Sequence, residues 1–409
     1  MYVVALRILV TALCARGGVS VVIGNGTLPS QAVFVDLRNT SVLGTNGTFR
    51  TDAFAELFNP TATEPPFFQV FDPSFLDIIG PNASIRAIVS NPTFAFAHEG
   101  PVWLPDTDEL TFASNGGSVL GRSDIDHNNI VSKISLKDVE LAIQASNASA
   151  PAPVNVTVTT LDIPTTVQMT NGGTGPYHGD LLLITSGRGN LPPSIVRVNP
   201  QPPYNTTVLV DNFFGRQFNS LNDIKVHPTN GLIFFTDTSY GWLNHFRPEP
   251  LLPNQIYRLD PSTGQVRVVA DGFIRPNGIA FSGDGQTAYV TDTSAAGGFL
   301  GINQTDPSTI YQFDVDPKGQ SFTNRRVFAY IDTGIPDGVQ VDTAGNVYSG
   351  CGEGVQVWNA EGTLLGKIVV GSTSGNMAFA GKGRLVVMAE TSIYLAQIAA
   401  EGLPLATFG

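Results

Sequence analysis

The strongest constraint on the fold is a phrase that the chain repeats six times. From Asn277 the sequence reads NGIAFSGDGQTAYVTDT, and related phrases begin at five other positions. Each unit has a polar first residue, a short alternation of apolar residues, a turn of Gly, Asp or Asn, and a second apolar segment, so each predicts a β-hairpin. We call the polar first residues the heads of the units; they are Glu99, Asn171, Asn222, Asn277, Asp337 and Asn376.

The spacing of the heads leaves room after most hairpins for two further strands, as in residues 254–270 and 308–331. Four strands repeated six times predict an all-β fold, a six-bladed β-propeller. Only 14% of the residues are charged, and the 43 Gly and 28 Pro fit many short strands joined by tight turns. A β-sandwich or two barrels could use such hairpins, but neither would explain six units with the same polar head.

The sequence predicts three parts along the chain, two of which precede the propeller. Residues 1–20 have one early positive charge and an apolar stretch at 8–15, which suggests a signal peptide, with an ordinary first strand or frayed terminus as the alternative. Residues 21–64 are an expected N-terminal extension, and 65–409 the single propeller domain. Within 28–95 we expect FFQVFDPSFLDII to supply an outer strand that closes the ring on the last blade.

Eight N-x-S/T sequons favour passage through a glycosylating secretory pathway, and hence a secreted protein. They begin at Asn25, Asn39, Asn46, Asn82, Asn147, Asn155, Asn205 and Asn303. The net charge of -12 argues against nucleic acid or an anionic membrane as partner, because both require clustered Lys and Arg. A neutral or cationic ligand, or a metal ion, is easier to accommodate.

The six heads should meet around one axis, because the innermost strands of a propeller line its central channel. They offer side-chain oxygens and no basic group. Such a set suits a hard cation, with Ca²⁺ ahead of Mg²⁺ and Zn²⁺. The alternative is that Asn, Asp and Gly only form turns here. Glu99 is not a turn former, so Glu99 and Asp337 carry most of the metal hypothesis.

Three further residues have open interpretations. Asp237 and Asp292 end the second strands of neighbouring units, where they could contact substrate or support the blade. His98 adjoins Glu99, but strand alternation points it to the opposite face and predicts a packed core histidine. The sequence contains no G-x-S-x-G elbow, P-loop, HExxH or paired CxxC, so serine-hydrolase, nucleotide and zinc-protease functions have no support.

The phrases HEGPVW, LNDIKVHPTNGLIFFTDT, RPNGIAFSGDGQTAYVTDT and IPDGVQVDTAGNVY resemble the gluconolactonase/SMP-30/regucalcin family. PYNTTVLVDNFFGRQFNSLNDI, VYSGCGEGVQVWN and FAGKGR are similar to its fungal secreted lactonohydrolases. The resemblance covers about residues 65 to 395 and implies a six-bladed propeller that hydrolyses sugar-type lactones with a divalent cation, usually Ca²⁺ and in some members Zn²⁺.

Residue by residue, the resemblance implies metal ligands at Glu99, Asn277 and Asp337, with Asn222 at the metal or the substrate. Where regucalcin-like proteins have an arginine two residues before that asparagine, this chain has Ser220, and Arg216 is no assured substitute. This departure puts that route of substrate recognition in doubt.

We therefore predict a metal-dependent lactonase whose substrate is a small lactone, either an aldonolactone, a pantolactone-like compound or a secondary-metabolite lactone. The cation would polarise the ring carbonyl, with Asp337 as first candidate for general base and Asp292 as second. Asn222 would act in catalysis and, with Asn171 and Asp292, contact substrate. Loops 239–253 and 294–303 should roof the site. The alternatives are a non-catalytic Ca²⁺-binding propeller and another ester or organophosphate hydrolase.

Overall fold

The computed structural model describes residues 28–52, 54–146, 151–318 and 320–404. Within these ranges the chain forms six sheets of at least four strands, and the first strand of each sheet contacts the first strands of its two neighbours in a closed ring. Five of the first strands contain their head, and the remaining one, Val339–Val341, begins two residues after Asp337. The predicted six-bladed β-propeller is therefore confirmed, and each sheet is one blade.

The strands of each blade are given from the centre outwards. Blade 1 has Glu99–Leu104, Glu109–Ala113, Val131–Ser135 and Thr159–Thr160. Blade 2 has Thr170–Tyr177, Asp180–Thr185, Ser194–Val198 and Thr206–Val210. Blade 3 has Leu221–Val226, Ile233–Asp237, Gln255–Asp260 and Gln265–Ala270. Blade 4 has Pro276–Phe281, Thr287–Asp292, Thr309–Val315 and Phe322–Tyr330. Blade 5 has Val339–Val341, Val347–Cys351, Gly354–Trp358, Leu364–Val369, Phe67–Val70 and Ala32–Phe34. Blade 6 has Asn376–Phe379, Arg384–Ala389, Ser392–Gln397 and Ser84–Ser90.

The ring closes through a different strand from the one expected. Ser84–Ser90 pairs antiparallel with Ser392–Gln397 and completes blade 6, whereas Phe67–Val70 is a fifth strand of blade 5 and the following residues form the helix Phe75–Ile79. Both apolar segments suit an outer strand, and hydrophobic pattern alone does not say which blade each will join. Residues 28–64, in the predicted extension, contribute Ala32–Phe34 as a parallel sixth strand of blade 5.

The remaining regular elements lie outside the blades. They are the hairpin Asn212–Phe213 with Arg216–Gln217, the helices Leu136–Ala145 and Tyr240–Leu243, and the 3-10 turns Leu37–Asn39 and Gly298–Leu300. No helix within the described ranges is long and apolar enough to cross a membrane. The expected signal peptide at 1–20 and the sequons at Asn25 and Asn147 lie outside the described residues.

The core consists of six apolar wedges, one between each pair of neighbouring blades. Between blades 3 and 4, for example, the rings of Phe234 and Phe322 stack with centroids 5.5 Å apart. Both faces of a blade are thus buried, which explains why its strands are apolar on both sides. Because every wedge holds two blades together, the innermost strands are fixed around the channel.

Candidate metal centre

The heads lie where the innermost strands depart from regular pairing. The register against the second strand shifts between Glu99 and Val102 in blade 1, and equivalent shifts in blades 2, 3 and 4 enclose Asn171, Asn222 and Asn277. A β-bulge of this kind changes the direction of side chains that strict alternation would place. The bulges therefore direct several heads into the channel from successive strands.

The glycine after a head permits neighbouring strands to approach closely. A Cβ on Gly100, which has φ of +60°, would lie 2.6 Å from the backbone oxygen of Asn171. A Cβ on Gly278 would collide with the backbone oxygen of Asp337, and one on Gly338 with the side chain of Asn376. The polar residue followed by Gly is thus required by the narrow ring as well as by turn formation.

Threonine hydroxyls connect the heads of successive blades. Thr236 Oγ1 donates to the backbone oxygen of Asn277 at 2.8 Å, and Thr291 Oγ1 donates to the backbone oxygen of Asp337 at 3.0 Å. The same Thr291 hydroxyl accepts from Gly278 N at 2.6 Å. Each hydroxyl lies on the second strand of one blade and positions the head of the next.

Five heads line one cavity of about 200 Å³ at the channel mouth; they are Glu99, Asn171, Asn222, Asn277 and Asp337. Four of them each present an Oδ1 that is buried and has no hydrogen-bond partner among the described residues. These four are Asn171, Asn222, Asn277 and Asp337. Buried polar oxygens normally have a partner. Four buried acceptor atoms without a partner in the lining of one cavity are the pattern expected around a cation.

The sixth head supports the cavity without lining it. Asn376 Nδ2 donates to Glu99 Oε2 at 2.8 Å, and Asn376 Oδ1 accepts from Met377 N. Its amide is therefore used on both sides. The expectation that all six heads meet at one point needs this correction: five face the cavity, and Asn376 fixes the carboxylate of Glu99.

His98 lies in the cavity wall, so the prediction of a packed core histidine is wrong. Ligand atoms of His98, Glu99 and Asp337 all lie within 4.8 Å of one another. Strand alternation does not apply because His98 lies just before the first residue of the strand Glu99–Leu104. His98 Nδ1 is 2.6 Å from Glu390 Oε1, and Asn115 Nδ2 donates to Glu390 Oε2 at 2.9 Å, so both carboxylate oxygens are used.

The carboxyl groups of the cavity are strongly perturbed. Burial, followed by the charge of Asp337, raises the pKa of Glu99 well above its usual range. Burial raises the pKa of Asp337 to about 6, and it raises the pKa of Asp223, deeper in the channel, to about 6. Burial opposes a charge on His98, yet the ion pair with Glu390 raises its pKa to about 10. A cation among these groups would favour the ionised carboxylates.

Asp292 does not lie in this cavity. Its carboxylate accepts from Ile274 N at 3.1 Å, from Arg275 N at 2.9 Å and from the hydroxyl of Ser294. Asp237 accepts from the equivalent backbone groups of blade 3, Asn219 N and Ser220 N. These contacts contradict a substrate or base role for Asp292. Its oxygens fix the backbone just before the first strand of its own blade.

Sequence reasoning missed several residues that complete the wall. Besides His98 they are Asn115, Thr170 and Ser186, whereas the wall residues Tyr240, Asn244 and Phe246 belong to the loop 239–253 that was predicted to roof the site. Glu390, which holds His98, follows the second strand of blade 6 in the phrase MAET, at the place of FTDT and VTDT in blades 3 and 4. Comparison of the repeats could therefore have found Glu390.

No arginine lies among the described residues of the cavity wall, in agreement with the departure at Ser220. Ser220 is buried, and its Oγ accepts from Gly241 N at 3.0 Å, which fixes the start of the roof loop. Arg216 is exposed and donates to the backbone oxygen of Leu251. Neither residue offers a cationic group to the cavity.

The two predicted roof loops carry an aromatic cluster beside the mouth. The helix Tyr240–Leu243 contacts the turn Gly298–Leu300. Phe299 meets the ring of Trp242 edge-on at 4.9 Å and stacks on His245 at 4.8 Å, while 47% of its surface stays exposed. The mouth therefore combines an oxygen-lined floor with an apolar rim.

Comparison with known proteins gives consistent relatives. The family described as SMP-30/Gluconolactonase/LRE-like region matches residues 97–391. Lactonohydrolase oryL of Aspergillus oryzae is 28% identical over 362 residues, which cover 81% of this chain and 76% of the relative. The gluconolactonase of Zymomonas mobilis is 25% identical over 326 residues, covering 77% and 81%. A solved gluconolactonase structure from Xanthomonas campestris has a TM-score of 0.62 and 26% identity, covering 81% of this chain and 94% of that one.

Proposed function

The chain belongs to the SMP-30/gluconolactonase family, and from this premise we propose that it is a secreted lactonase that uses a divalent cation to open the ring ester of a small lactone. The relatives named as lactonohydrolase and gluconolactonase support lactone hydrolysis as the activity. The observation that carries the metal dependence is the group of four unpartnered buried oxygens in one cavity of the channel.

The proposed ligands are Glu99, Asn222, Asn277 and Asp337. All four are at least nine-tenths buried, and three contribute an otherwise unpartnered Oδ1. An all-oxygen set of two carboxylates and two amides favours Ca²⁺ over the nitrogen- and sulfur-seeking Zn²⁺. Among the described residues, His98 is the one nitrogen ligand within reach, and Glu390 holds its Nδ1. Zn²⁺ and Mg²⁺ are the alternatives that metal replacement would distinguish.

When bound, the cation would supply Lewis-acid polarisation of the lactone carbonyl and stabilise the oxyanion that hydrolysis develops. The chain's own residues orient the reactants. Asn171 is partly exposed to the cavity and can bind ring oxygens of the substrate, and Asn222 can donate through its amide. Asp337 faces the same space and is our candidate to accept the proton of the attacking water.

The substrate we propose carries an apolar substituent beyond the lactone ring. Phe246 lines the cavity, and Trp242 and Phe299 contact each other in the two loops that also supply the lining residues Tyr240 and Ala296. An alkyl or aromatic chain that binds against such a rim would displace little water from polar groups. The amide of Asn244 also lines the cavity and is a candidate contact for the ring itself.

The decisive test measures hydrolysis of a panel of aldonolactones and alkyl-substituted γ-lactones before and after removal of metal by a chelator. We expect activity to disappear with chelation and to return with Ca²⁺. The double variant Glu99→Gln with Asp337→Asn should stay inactive in excess Ca²⁺. The matched control Glu361→Gln with Asp126→Asn changes two exposed acids and should keep full activity. Undiminished activity in the chelated protein or in the double cavity variant would overturn the proposal.

Secretion and glycosylation form the last part of the proposal. The sequon asparagines within the described residues are all exposed: Asn39, Asn46, Asn82, Asn155, Asn205 and Asn303. Exposure is what an oligosaccharide requires. Expression of the full chain in a eukaryotic secretory host should release it into the medium with a mass that falls on glycosidase treatment. Retention in the cell without glycan would contradict this part.

A further inference from the structure

A second cavity, of about 150 Å³, lies at the opposite end of the channel. All six innermost strands contribute to it through residues that follow their heads. Lys225, for instance, is three residues beyond Asn222, a distance of about 10 Å along an extended strand. We call this space the far cavity, and its floor is separated from the candidate metal centre by the tightly packed ring of glycines after the heads.

The far cavity has walls of mixed polarity and one charged group. Trp103, Phe281, Val341, Phe379 and Leu403 supply its apolar surface, and Lys225 is the only charged residue among the described lining residues. The sign of its charge is opposite to that of the metal centre, whose lining carries carboxylates and amide oxygens. A ligand for the far cavity should accordingly be largely apolar with one anionic group.

The amino group of Lys225 is only partly satisfied. Its Nζ donates to Gln340 Oε1 at 2.8 Å, and Gln340 Nε2 in turn donates to the backbone oxygen of Met377. An ammonium has three donors, and no carboxylate of the described chain lies within 4.0 Å of this one. Asp223, on the same strand, spends its two oxygens on Ile224 N and Ile279 N.

Lys367 is a second buried lysine, and its charge is compensated by carboxylates of the chain itself. Its Nζ lies 2.6 Å from both Asp332 Oδ1 and Glu353 Oε1, so its charge is compensated within the fold. Lys225 makes no such short ion pair: burial lowers the pKa of its ammonium, and the charge of Asp223 on the same strand opposes this only in part. A partly buried charge that is incompletely compensated is unfavourable, and an anion placed beside it reduces that cost.

We propose that the far cavity binds a small aromatic or branched carboxylate, whose anionic group is received by the ammonium of Lys225 and whose apolar body packs on the aromatic walls. The volume is adequate, because an apolar cavity of about 150 Å³ accommodates a benzene ring. The carboxylate would occupy the side of Lys225 not used by Gln340. This site is independent of the lactone site at the other mouth.

The test compares 4-fluorobenzoate with the neutral 4-fluorobenzamide by fluorine NMR titration of the full-length protein at neutral pH. We expect the acid to bind at least about tenfold more tightly than the amide, as a charge-assisted hydrogen bond implies. Lys225→Met should abolish this preference, and Lys225→Arg should retain it. The control Lys318→Met removes an exposed lysine and should bind as the wild type does.

The metal centre is the competing place for a carboxylate. Binding should therefore persist in the double variant Glu99→Gln with Asp337→Asn, measured with chelator present. Three results would overturn the proposal: no binding of either compound to the wild type, equal affinity for acid and amide, or loss of binding in the metal-centre variant. Circular dichroism of Lys225→Met verifies its fold, and the acid-to-amide comparison on the wild type requires no variant.

Discussion

The two ends of the channel are built from the same six strands, yet they favour ligands of opposite charge. At the head end, two carboxylates and three amides face one cavity, and four of their oxygens lack a partner among the described residues. At the far end, one amine faces walls that include several large apolar side chains. The same innermost strands line both ends, so the difference between the two cavities comes from the side chains that each strand presents near its start and near its end. A propeller can therefore hold two unlike sites on one axis.

The largest effect expected at the head end is that of Asp337→Asn. It removes one ionised ligand and the candidate base together, so kcat/KM for a lactone should fall by at least about 100-fold. Steady-state kinetics in excess Ca²⁺ would measure the loss, and calorimetry should show weaker Ca²⁺ binding. The exposed variant Asp126→Asn is the control. A loss below threefold would mean that catalysis at the head end does not depend on Asp337.

Asp292→Asn separates the cavity carboxylates from those that support a blade. Asp292 accepts from two backbone N–H groups and a hydroxyl, so the change should lower the free energy of unfolding by about 2 kcal/mol. Chemical denaturation would measure it. At a temperature where the variant is folded, its KM should match that of the wild type. A raised KM with unchanged stability would return Asp292 to the substrate site.

The pH dependence of metal stabilisation tests the carboxyls of the head end. Burial raises the pKa of Asp337 to about 6 and raises that of Glu99 further above its usual range. The folded metal-free protein then binds more protons than the unfolded chain, so its stability falls as pH rises through these values. A cation requires the ionised forms and reverses this loss.

The increase in Tm caused by Ca²⁺ should accordingly be larger at about pH 7.5 than at about pH 5, by at least about 2 °C. Differential scanning calorimetry with and without chelator would measure it. In Asp337→Asn the difference between the two pH values should shrink. An equal increase at both pH values would show that cation binding does not depend on these buried carboxyls.

The sequence predicted the blades and heads well, because each unit repeats its own local pattern. It did not predict the partner of the N-terminal strands, since Phe67–Val70 and Ser84–Ser90 are both apolar enough to be outer strands. His98 was misplaced because it lies outside the strand, which begins at Glu99, so alternation does not orient it. Lys225 gave no signal, because its partner Gln340 lies 115 residues away on another blade.

Thr291→Val tests how tightly the ring holds a head. The hydroxyl of Thr291 links Gly278 N to the backbone oxygen of Asp337, and its loss leaves both groups without this partner. We expect the free energy of unfolding to fall by about 1 kcal/mol, and the affinity for Ca²⁺ to fall by a few fold. The control Thr263→Val changes an exposed hydroxyl in a turn. Unchanged Ca²⁺ affinity would mean that the threonine links stabilise the ring without positioning Asp337.

Phe299→Ala should have the smallest effect, and it tests whether the head end is also partly apolar at its rim. Phe299 contacts Trp242 and His245 and exposes the rest of its ring. Its removal should raise KM about threefold for an alkyl-substituted lactone, the value of roughly one buried methylene, with kcat and the KM of an unsubstituted sugar lactone unchanged. Leu141→Ala, which removes another exposed apolar side chain from a helix outside blade 1, is the control. If both lactones lost affinity equally, the aromatic rim would be shaping the polar floor and would not itself receive the substituent.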